Sequence, residues 1–565
     1  MKHLPLAAVV LLAAGACAPA PPPAAPAPAP AAPPVQAPGA PAESTAIAAG
    51  PAANWWLLDP QSDGVPGIGA ERAYRELLAG RTPKRSVTIA IIDSGVDIDH
   101  PDLRPNIWTN AREVAGNGKD DDRNGYPDDV HGWDFLGNRD GRDIEYDTYE
   151  VTRLYAALRR YEGANPDTLG AARHAEYERF RALKAEWEQE RAKAAEQLQQ
   201  VLMIDAALPR VEAVLHAQVG GDSLTVQRVS AISSPHPQVQ QAREIWLELA
   251  ALEITPRVLE ENRKALETRL KYGFDPDFNP RPIIGDNYND PKDRFYGNAD
   301  VRGPDPSHGT HVAGIAAAKR GNGIGIDGVA PADSVRILVV RAVPDGDERD
   351  KDVANAIRYA ADNGADVINM SFGKGHSPQK QWVDDAVRHA EQKGVLLVHA
   401  AGNDGENLNQ EPSFPTRYYE GGGEAKLWIT VGASTPSQSP DSLAAPFSNW
   451  GKGRVDVFAP GVAIYSTTPD NGYERNQGTS MAAPVVTGLA ALLMAYYPEL
   501  SAAEVKQIIL ESVTPHADQL VVRPGSETGE RVPFSELATT GGVVNAYRAV
   551  QLAEQRVGRA TTSTP

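Results

Sequence analysis

Residues 334–458 alternate between short apolar segments and segments with helical periodicity, and this alternation constrains the fold more than any other feature. The apolar segments are rich in Val, Ile and Leu, which is typical of strands buried on both faces. The predicted strands in this region are 335–340, 367–370, 395–399, 427–431 and 455–458, and one further strand is predicted upstream at 87–92. Strands that alternate with helices predict an α/β fold, a doubly wound and mostly parallel sheet flanked by helices.

Three short motifs containing Asp, His and Ser fall where such a sheet would bring them together. Asp93 ends the first predicted strand, His308 opens a helix, and Ser480 opens a long apolar helix over 482–497. Functional residues of parallel sheets gather beyond the carboxyl ends of the strands. A serine is a weak nucleophile unless a base activates it and another group orients that base. Taken singly, each motif has another explanation: the Asp motif could be a turn, the His motif a pair of metal ligands, and the Ser motif a helix cap.

Taken together, the three motifs resemble the subtilase family of serine peptidases. They are Ile91–Val96, His308–Gly314 and Gly478–Pro484, in the chain order Asp, His, Ser that is associated with subtilisin-type hydrolases. The resemblance covers roughly residues 54–140 and 280–555. It implies a subtilisin-like fold and hydrolysis of peptide bonds through an acyl-enzyme intermediate.

The resemblance assigns a role to each residue of the motifs. Ser480 would be the nucleophile, His308 the general base and then acid, and Asp93 the carboxylate that fixes the imidazole tautomer. His311 competes for the role of base, but three residues further along the helix it should face a different direction. Asn403 matches the oxyanion-hole position of the family and would donate with the backbone N–H of Ser480. An asparagine after a glycine is also a common turn residue.

The segment 368–373 resembles the substrate-binding edge of the family, along which an extended peptide adds as a strand. The residues assigned to this edge are Ser371, Phe372 and Gly373. Phe372 stands where a smaller aliphatic residue is commoner, so the preference of the pocket stays open. The opposing wall of the first pocket would consist of Ala400, Ala401 and Gly402. Small residues at that wall suit a large substrate side chain.

A loop over residues 118–129 is rich in oxygen ligands and resembles an EF-hand-like calcium loop that recurs in subtilases. Acidic or amide residues recur at every second position, and Gly125 permits a sharp turn. The candidate ligands are Asp120, Asp122, Asn124, Tyr126 through its carbonyl, and Asp128. The plainer interpretation is a solvated acidic turn. Because so many carboxylates repel one another without a cation, we expect structural calcium.

The amino-terminal residues predict export. Lys2 and His3 precede an apolar run over 4–14, which is too short for a stable membrane span and is typical of a secretory signal. The small residues before Cys17, the only cysteine, resemble the bacterial lipoprotein processing box. We therefore expect passage across the inner membrane and lipid attachment at Cys17, with the protein anchored in the cell envelope at the outer membrane. Ordinary cleavage at a small-residue site is the alternative.

Composition divides the chain further. Residues 1–17 are the predicted signal peptide, and 18–53, almost entirely Pro and Ala, form a predicted disordered tether. The predicted divisions that follow are a first catalytic part over 54–141, a helical insertion over 142–279, a second catalytic part over 280–555, and a disordered tail over 556–565. The insertion either restricts access to the cleft or docks a substrate, or it only adds stability.

The net charge and the motifs narrow the function. With 55 Lys and Arg against 74 Asp and Glu, the net charge is −19, which argues against a nucleic-acid partner. We expect a serine endopeptidase that acts on polypeptides. One alternative is a maturation protease for a single envelope partner. The other is a catalytically idle binding protein on the same fold, which is disfavoured because every residue of the triad and the oxyanion asparagine is present.

Overall fold

The computed structural model describes residues 51–562 except 221, 222, 252 and 253. Cys17, the predicted signal peptide and nearly all of the predicted tether lie outside the described residues. By its contacts the described chain forms two compact units, one made of residues 51–188 and 271–562 and the other of residues 189–270.

The strands in chain order are β1 Val87–Asp93, β2 Gly132–Asp134, β3 Val335–Arg341, β4 Val367–Met370, β5 Leu396–Ala400, β6 Trp428–Ser434, β7 Val457–Pro460, β8 Ile464–Thr468, β9 Gly472–Asn476, β10 Thr514–Pro515, β11 Leu520–Val522, β12 Arg531–Pro533 and β13 Gly542–Val543. The α-helices are α1 Ala70–Glu76, α2 Glu150–Leu158, α3 Ala171–Val219, α4 Val226–Ser230, α5 Pro237–Ala251, α6 Pro256–Thr268, α7 Ser307–Ala317, α8 Asp350–Asp362, α9 Lys380–Gln392, α10 Thr479–Tyr496, α11 Ala502–Glu511 and α12 Ala546–Thr562.

Across the described ranges, nine strands form one sheet in the order β10-β13-β7-β6-β5-β4-β1-β3-β2. Neighbouring strands of this sheet are parallel except β10 and β13. The register places Asp93 beside Arg341, and Met370 beside His399, so the carboxyl ends of the central strands meet at one edge. The predicted doubly wound α/β fold is confirmed.

Helices cover both faces of the sheet, and β1 shows how the strands serve both. Ile89 and Ile91 belong to the hydrophobic cluster that contains residues of α7 and α10, whereas Ala90 and Ile92 belong to the cluster that contains residues of α8 and α9. All four side chains are fully buried. Successive strand residues point to opposite faces, so a strand between two helical layers must be apolar throughout.

Helix α10 lies at the centre of the larger of these two hydrophobic clusters, the one that also contains residues of α7. Among the described residues it is the one helix long and apolar enough to cross a membrane, and 94% of that stretch is buried inside the protein. Its apolar residues therefore pack against the sheet and α7 as a core helix.

The insertion expected over 142–279 divides differently in the structure. Only residues 189–270 form the second unit, which contains the remainder of α3 together with α4, α5 and α6 and has its own small apolar cluster. The flanking residues belong to the first unit. There Tyr155 stacks on Trp187 at 4.7 Å between ring centroids, and Phe180 is buried beside them. Aromatic rings bury large apolar areas, which explains why these flanks join the first unit.

The disordered tail expected over 556–565 is corrected for its first residues, because α12 continues to Thr562. Arg556 pairs with Glu511 of α11 at 2.6 Å, and Val557 packs against the larger apolar cluster. These contacts extend the helix beyond the predicted boundary at residue 555.

Candidate active site

Ser480 lies in the first turn of α10, two residues after the glycine whose backbone conformation starts the helix. Gly478 has φ of +149°, a conformation that other residues rarely adopt. The Ser480 hydroxyl donates to the backbone carbonyl of Ser371 at 3.1 Å, and the Ser371 hydroxyl donates to the carbonyl of Ser480 at 2.9 Å. The start of α10 is thereby tied to the residue that follows β4.

Asp93 and His308 form a hydrogen-bonded pair at the same edge of the sheet. The Nδ1–H of His308, on the first turn of α7, donates to Oδ1 of Asp93 at 2.7 Å. Asp93 is buried, and the same oxygen accepts the backbone N–H of Ser94 at 2.8 Å. The His308 side chain is 41% exposed. The pairing sets the tautomer, with Nδ1 protonated and Nε2 left as the acceptor.

The pKa of His308 is raised above its ordinary value of 6.5. Partial burial of the ring lowers the pKa, but the charge of Asp93 and its hydrogen bond outweigh that effect. Among the described residues, the Ser480 hydroxyl donates to the carbonyl of Ser371 and makes no hydrogen bond to His308.

Two other histidines near this edge are unsuited to act as a base. Burial lowers the pKa of His311 to about 3, and its Nε2–H donates to the carbonyl of Glu474 at 3.2 Å. Burial lowers the pKa of His399 to about 4, and its Nε2–H donates to the carbonyl of Phe372 at 2.9 Å. Both rings are neutral and engaged with backbone carbonyls. His399 supports the predicted substrate edge, a role that its place at the end of an apolar strand did not reveal.

Asn403 follows β5 and is held by Thr479 at the start of α10. Its Oδ1 accepts from the backbone N–H of Thr479 at 2.8 Å and from the Thr479 hydroxyl at 3.0 Å. The Thr479 hydroxyl also accepts the backbone N–H of Gly402 at 3.0 Å. Because both contacts use Oδ1, the two N–H bonds of the amide are left to donate elsewhere. Sequence reasoning missed Thr479, although it stands directly before the predicted nucleophile.

The residues of the predicted substrate edge differ in exposure. Ser371 is buried, Phe372 is half-buried and Gly373 is exposed. On the predicted opposite wall, Ala400 and Ala401 are buried in hydrophobic clusters, and Gly402 is half-buried. The two sets lie at the carboxyl ends of neighbouring parallel strands, β4 and β5, so the structure brings them to one edge.

The acidic loop brings together some of the predicted calcium ligands. Ligand atoms of Glu113, Asp120 and Asp122 lie within 4.8 Å of one another. Asp128 lies outside this group, and its carboxylate instead accepts the backbone N–H groups of residues 117 and 118. Asn124 uses its Oδ1 to accept the N–H of residue 126 at 2.8 Å. Three carboxylates form a hard oxygen donor set of the kind that binds calcium. Glu113 was missed because it precedes the loop.

A doubly wound sheet whose edge carries a nucleophile candidate and an Asp–His pair has the architecture of a serine hydrolase. The sequence pattern of the family described as "Subtilase family" matches residues 84–528, and the chain belongs to this family. The family assignment made from the motifs is confirmed.

Similarity to individual proteins supports the same family assignment. The chain is 48% identical over 188 residues to a thermophilic serine proteinase of Bacillus sp. (strain AK1), over 33% of this chain and 42% of that protein. It is 39% identical to thermitase of Thermoactinomyces vulgaris, over 43% of this chain and 75% of that protein. It is 37% identical to subtilisin DY of Bacillus licheniformis, over 39% of this chain and 74% of that protein. The chain thus spans less than half the length of the first of these relatives.

Proposed function

We propose that the protein is a serine endopeptidase that acts on polypeptides. The observation that carries this proposal is the 2.7 Å hydrogen bond between Asp93 and His308 at the sheet edge where Ser480 opens α10. This pair gives a base of fixed tautomer, and the helix start gives a hydroxyl beside backbone N–H groups that favour negative charge. Family membership supports the same reaction.

In the proposed reaction, Oγ of Ser480 attacks the carbonyl carbon of the peptide bond while Nε2 of His308 takes the hydroxyl proton. Asp93 stabilises the imidazolium, in keeping with the raised pKa of His308. The oxyanion accepts from the amide of Asn403 and the backbone N–H of Ser480. The intermediate collapses as His308 donates its proton to the leaving amine. Water, deprotonated by His308, then hydrolyses the acyl-enzyme and restores Ser480.

Labelling with a fluorophosphonate probe tests the assignment of the nucleophile. The wild-type protein should carry one label at Ser480 and lose peptide hydrolysis in proportion to labelling. The Ser480→Ala variant should not be labelled. The buried Asp59, which contacts neighbouring backbone N–H groups of its own loop, offers a control position, since Asp59→Asn lies outside the proposed site and should label normally. Labelling at another residue would contradict the proposal.

We also propose that the group Glu113, Asp120 and Asp122 holds a structural calcium ion. The support is the convergence of three carboxylates, whose mutual repulsion is only partly compensated by Arg112, 2.8 Å from Asp122. Calcium titration followed by calorimetry tests this, because binding to the folded state raises the melting temperature. A melting temperature indifferent to both calcium and chelator would contradict it.

Export and lipid attachment at Cys17 stay a proposal that rests on the sequence alone. The proposed location is the outer membrane, with the Pro/Ala-rich segment between the lipid and the catalytic unit. Mass spectrometry of the mature amino terminus tests it, with Cys17→Ser as the variant that cannot be lipidated. An unmodified mature cysteine would refute the lipid anchor.

A further inference from the structure

A buried lysine follows the proposed substrate-binding residues 371–373 and opens a segment that we name the cleft loop, residues 374–377. The Lys374 ammonium donates to Oε2 of Glu150 and to the carbonyl of Glu348, both at 2.8 Å, and lies 2.9 Å from Oδ1 of Asp350. Its backbone N–H and carbonyl both pair with Phe414 at 2.9 Å. Side chain and backbone together leave Lys374 a single position.

The charge of Lys374 is maintained by its neighbours. Burial alone would lower its pKa, but Glu150 and Asp350 raise the pKa above the ordinary value. Burial alone would raise the pKa of the Glu150 carboxyl, but the charges of Arg153 and Lys374 lower it to about 2. Glu150, Arg153 and Lys374 are therefore ions at neutral pH, and removal of one of them leaves an uncompensated buried charge.

Glu150 reaches this cluster from helix α2, which lies in the segment predicted as the insertion. The backbone N–H of Glu150 donates to Oδ2 of Asp347 at 2.8 Å. Arg153, one turn further along α2, donates to Oε2 of Glu150 at 2.7 Å and to the carbonyl of Asp347 at 3.2 Å. Helix α2 is thus joined to the segment that leads from β3 into α8, and through Lys374 to the cleft loop.

A second contact on the cleft loop lies nearer the solvent. His376 Nε2 is 2.8 Å from Oε1 of Glu186 on helix α3, and both side chains are partly exposed. The hydroxyl of Ser377 donates to Oδ1 of Asp350 at 3.0 Å. The cleft loop is therefore held from α2, from α3 and from the start of α8.

We propose that Glu150 and Lys374 are positioning residues that hold the segment 371–373 in place for extended peptide substrates, with Glu186 and His376 as a weaker outer contact. The inference deepens the proposed peptidase function and rests on it. A peptide that pairs along 371–373 depends on the placement of this backbone, whereas a short ester contacts mainly the nucleophile end. Loss of the cluster should therefore weaken the binding of long substrates selectively.

The test compares a blocked hexapeptide with a blocked single-residue ester, both with Phe at the cleaved bond, across three variants. Glu150→Gln breaks the buried contact, and Glu186→Gln breaks the outer contact at an exposed position that tolerates substitution. The matched control is Asp456→Asn, which breaks a buried 2.6 Å pair with Arg417 at the opposite, amino end of the strands.

We expect Glu150→Gln to raise KM for the hexapeptide by about tenfold with little change in kcat, and to leave ester hydrolysis unchanged. Glu186→Gln should raise the same KM by roughly two- to threefold. Asp456→Asn should leave the ratio of the two substrates unchanged even if it lowers the melting temperature. Equal effects on both substrates, or an unchanged hexapeptide KM in the folded variants, would overturn the inference.

Binding measured without turnover separates this inference from the proposed function. In a Ser480→Ala background, fluorescence anisotropy gives the Kd of a labelled hexapeptide directly, and Glu150→Gln should raise that Kd by about tenfold. If the wild-type protein cleaves nothing yet the Kd shifts, the peptidase proposal fails and the positioning role stands. If the protein cleaves peptides and neither Kd nor KM shifts, the positioning role fails.

Discussion

Replacement of Asn403 tests the oxyanion proposal most sharply, because the two ends of its amide have separate partners. Oδ1 accepts both contacts from Thr479, and the N–H end remains for the substrate oxyanion. A hydrogen bond to a charged group contributes about 1.5–3 kcal/mol. At about 1.36 kcal/mol for each factor of ten, loss of one such donor lowers kcat by roughly 10- to 150-fold. The substrate KM should change little, because the charge develops only in the transition state.

The Ala and Asp variants of this residue give opposite rankings under the two possible roles. Asn403→Asp keeps the acceptor for Thr479 but replaces the donor with a negative charge that repels the oxyanion. If Asn403 donates to the oxyanion, kcat falls further in Asn403→Asp than in Asn403→Ala. If it only holds Thr479 in place, Asn403→Asp stays close to the wild type and Asn403→Ala is the damaged variant.

The assay is steady-state hydrolysis of a peptide p-nitroanilide, with kcat and KM determined separately and the melting temperature recorded for each variant. A loss confined to KM, or an Asp variant more active than the Ala variant, would refute the reasoning. A fall in melting temperature alone would show that the contacts with Thr479 matter to folding and not to the reaction.

Four further outcomes are expected. Ser480→Ala should abolish hydrolysis with little change in melting temperature, and substantial turnover by a clean preparation would contradict its role. The kcat/KM should rise with pH through the raised pKa of His308, above 6.5, because only the neutral imidazole accepts the serine proton; a flat profile there would contradict it. Calcium at 100 times its Kd should stabilise the wild type by about 2.7 kcal/mol, and Glu113→Gln together with Asp122→Asn should remove most of that gain, measured by calorimetry with and without chelator. Replacement of Gln189–Leu270 with a short Gly/Ser linker should preserve hydrolysis of small peptides while changing the rate on folded proteins; equal effects on both would exclude a gating or docking role.

Much of the fold could be predicted because its signals are local. The strand over Val367–Met370 was predicted with the bounds that the structure shows, since three of its four residues are apolar and polar residues, Asp366 and Ser371, flank it. The residues Asp93, His308 and Ser480 were found because each stands at a strand end or helix start within a short pattern. Their arrival at one edge follows from the parallel sheet.

The parts that sequence reasoning missed depend on contacts between distant segments. Glu113 joins the acidic group from outside the loop pattern, and Thr479 serves Asn403 across 76 positions of the chain. The two ends of the predicted insertion belong to the first unit for the same reason, through contacts such as that of Tyr155 with Trp187. Glu150 reads as an ordinary charged helix residue until Lys374, 224 positions away, is seen beside it.

The ionic groups at the carboxyl edge of the sheet share a physical consequence. Arg341, at the end of β3, donates to Oδ2 of Asp134 at 2.7 Å and to the carbonyl of Ser94 at 3.0 Å. Ser94 is the residue directly after Asp93. Buried ion pairs contribute little net stability compared with well-packed apolar residues of similar volume, because both ions must be desolvated. What such pairs do provide is direction, since each donor and acceptor must meet at a defined distance and angle. Around Lys374 and around Arg341, buried charges fix backbone beside the proposed catalytic and substrate-binding residues. Apolar packing could supply the stability of that edge, but it would not fix the orientation of Asp93 or of the segment 371–373 in the same way.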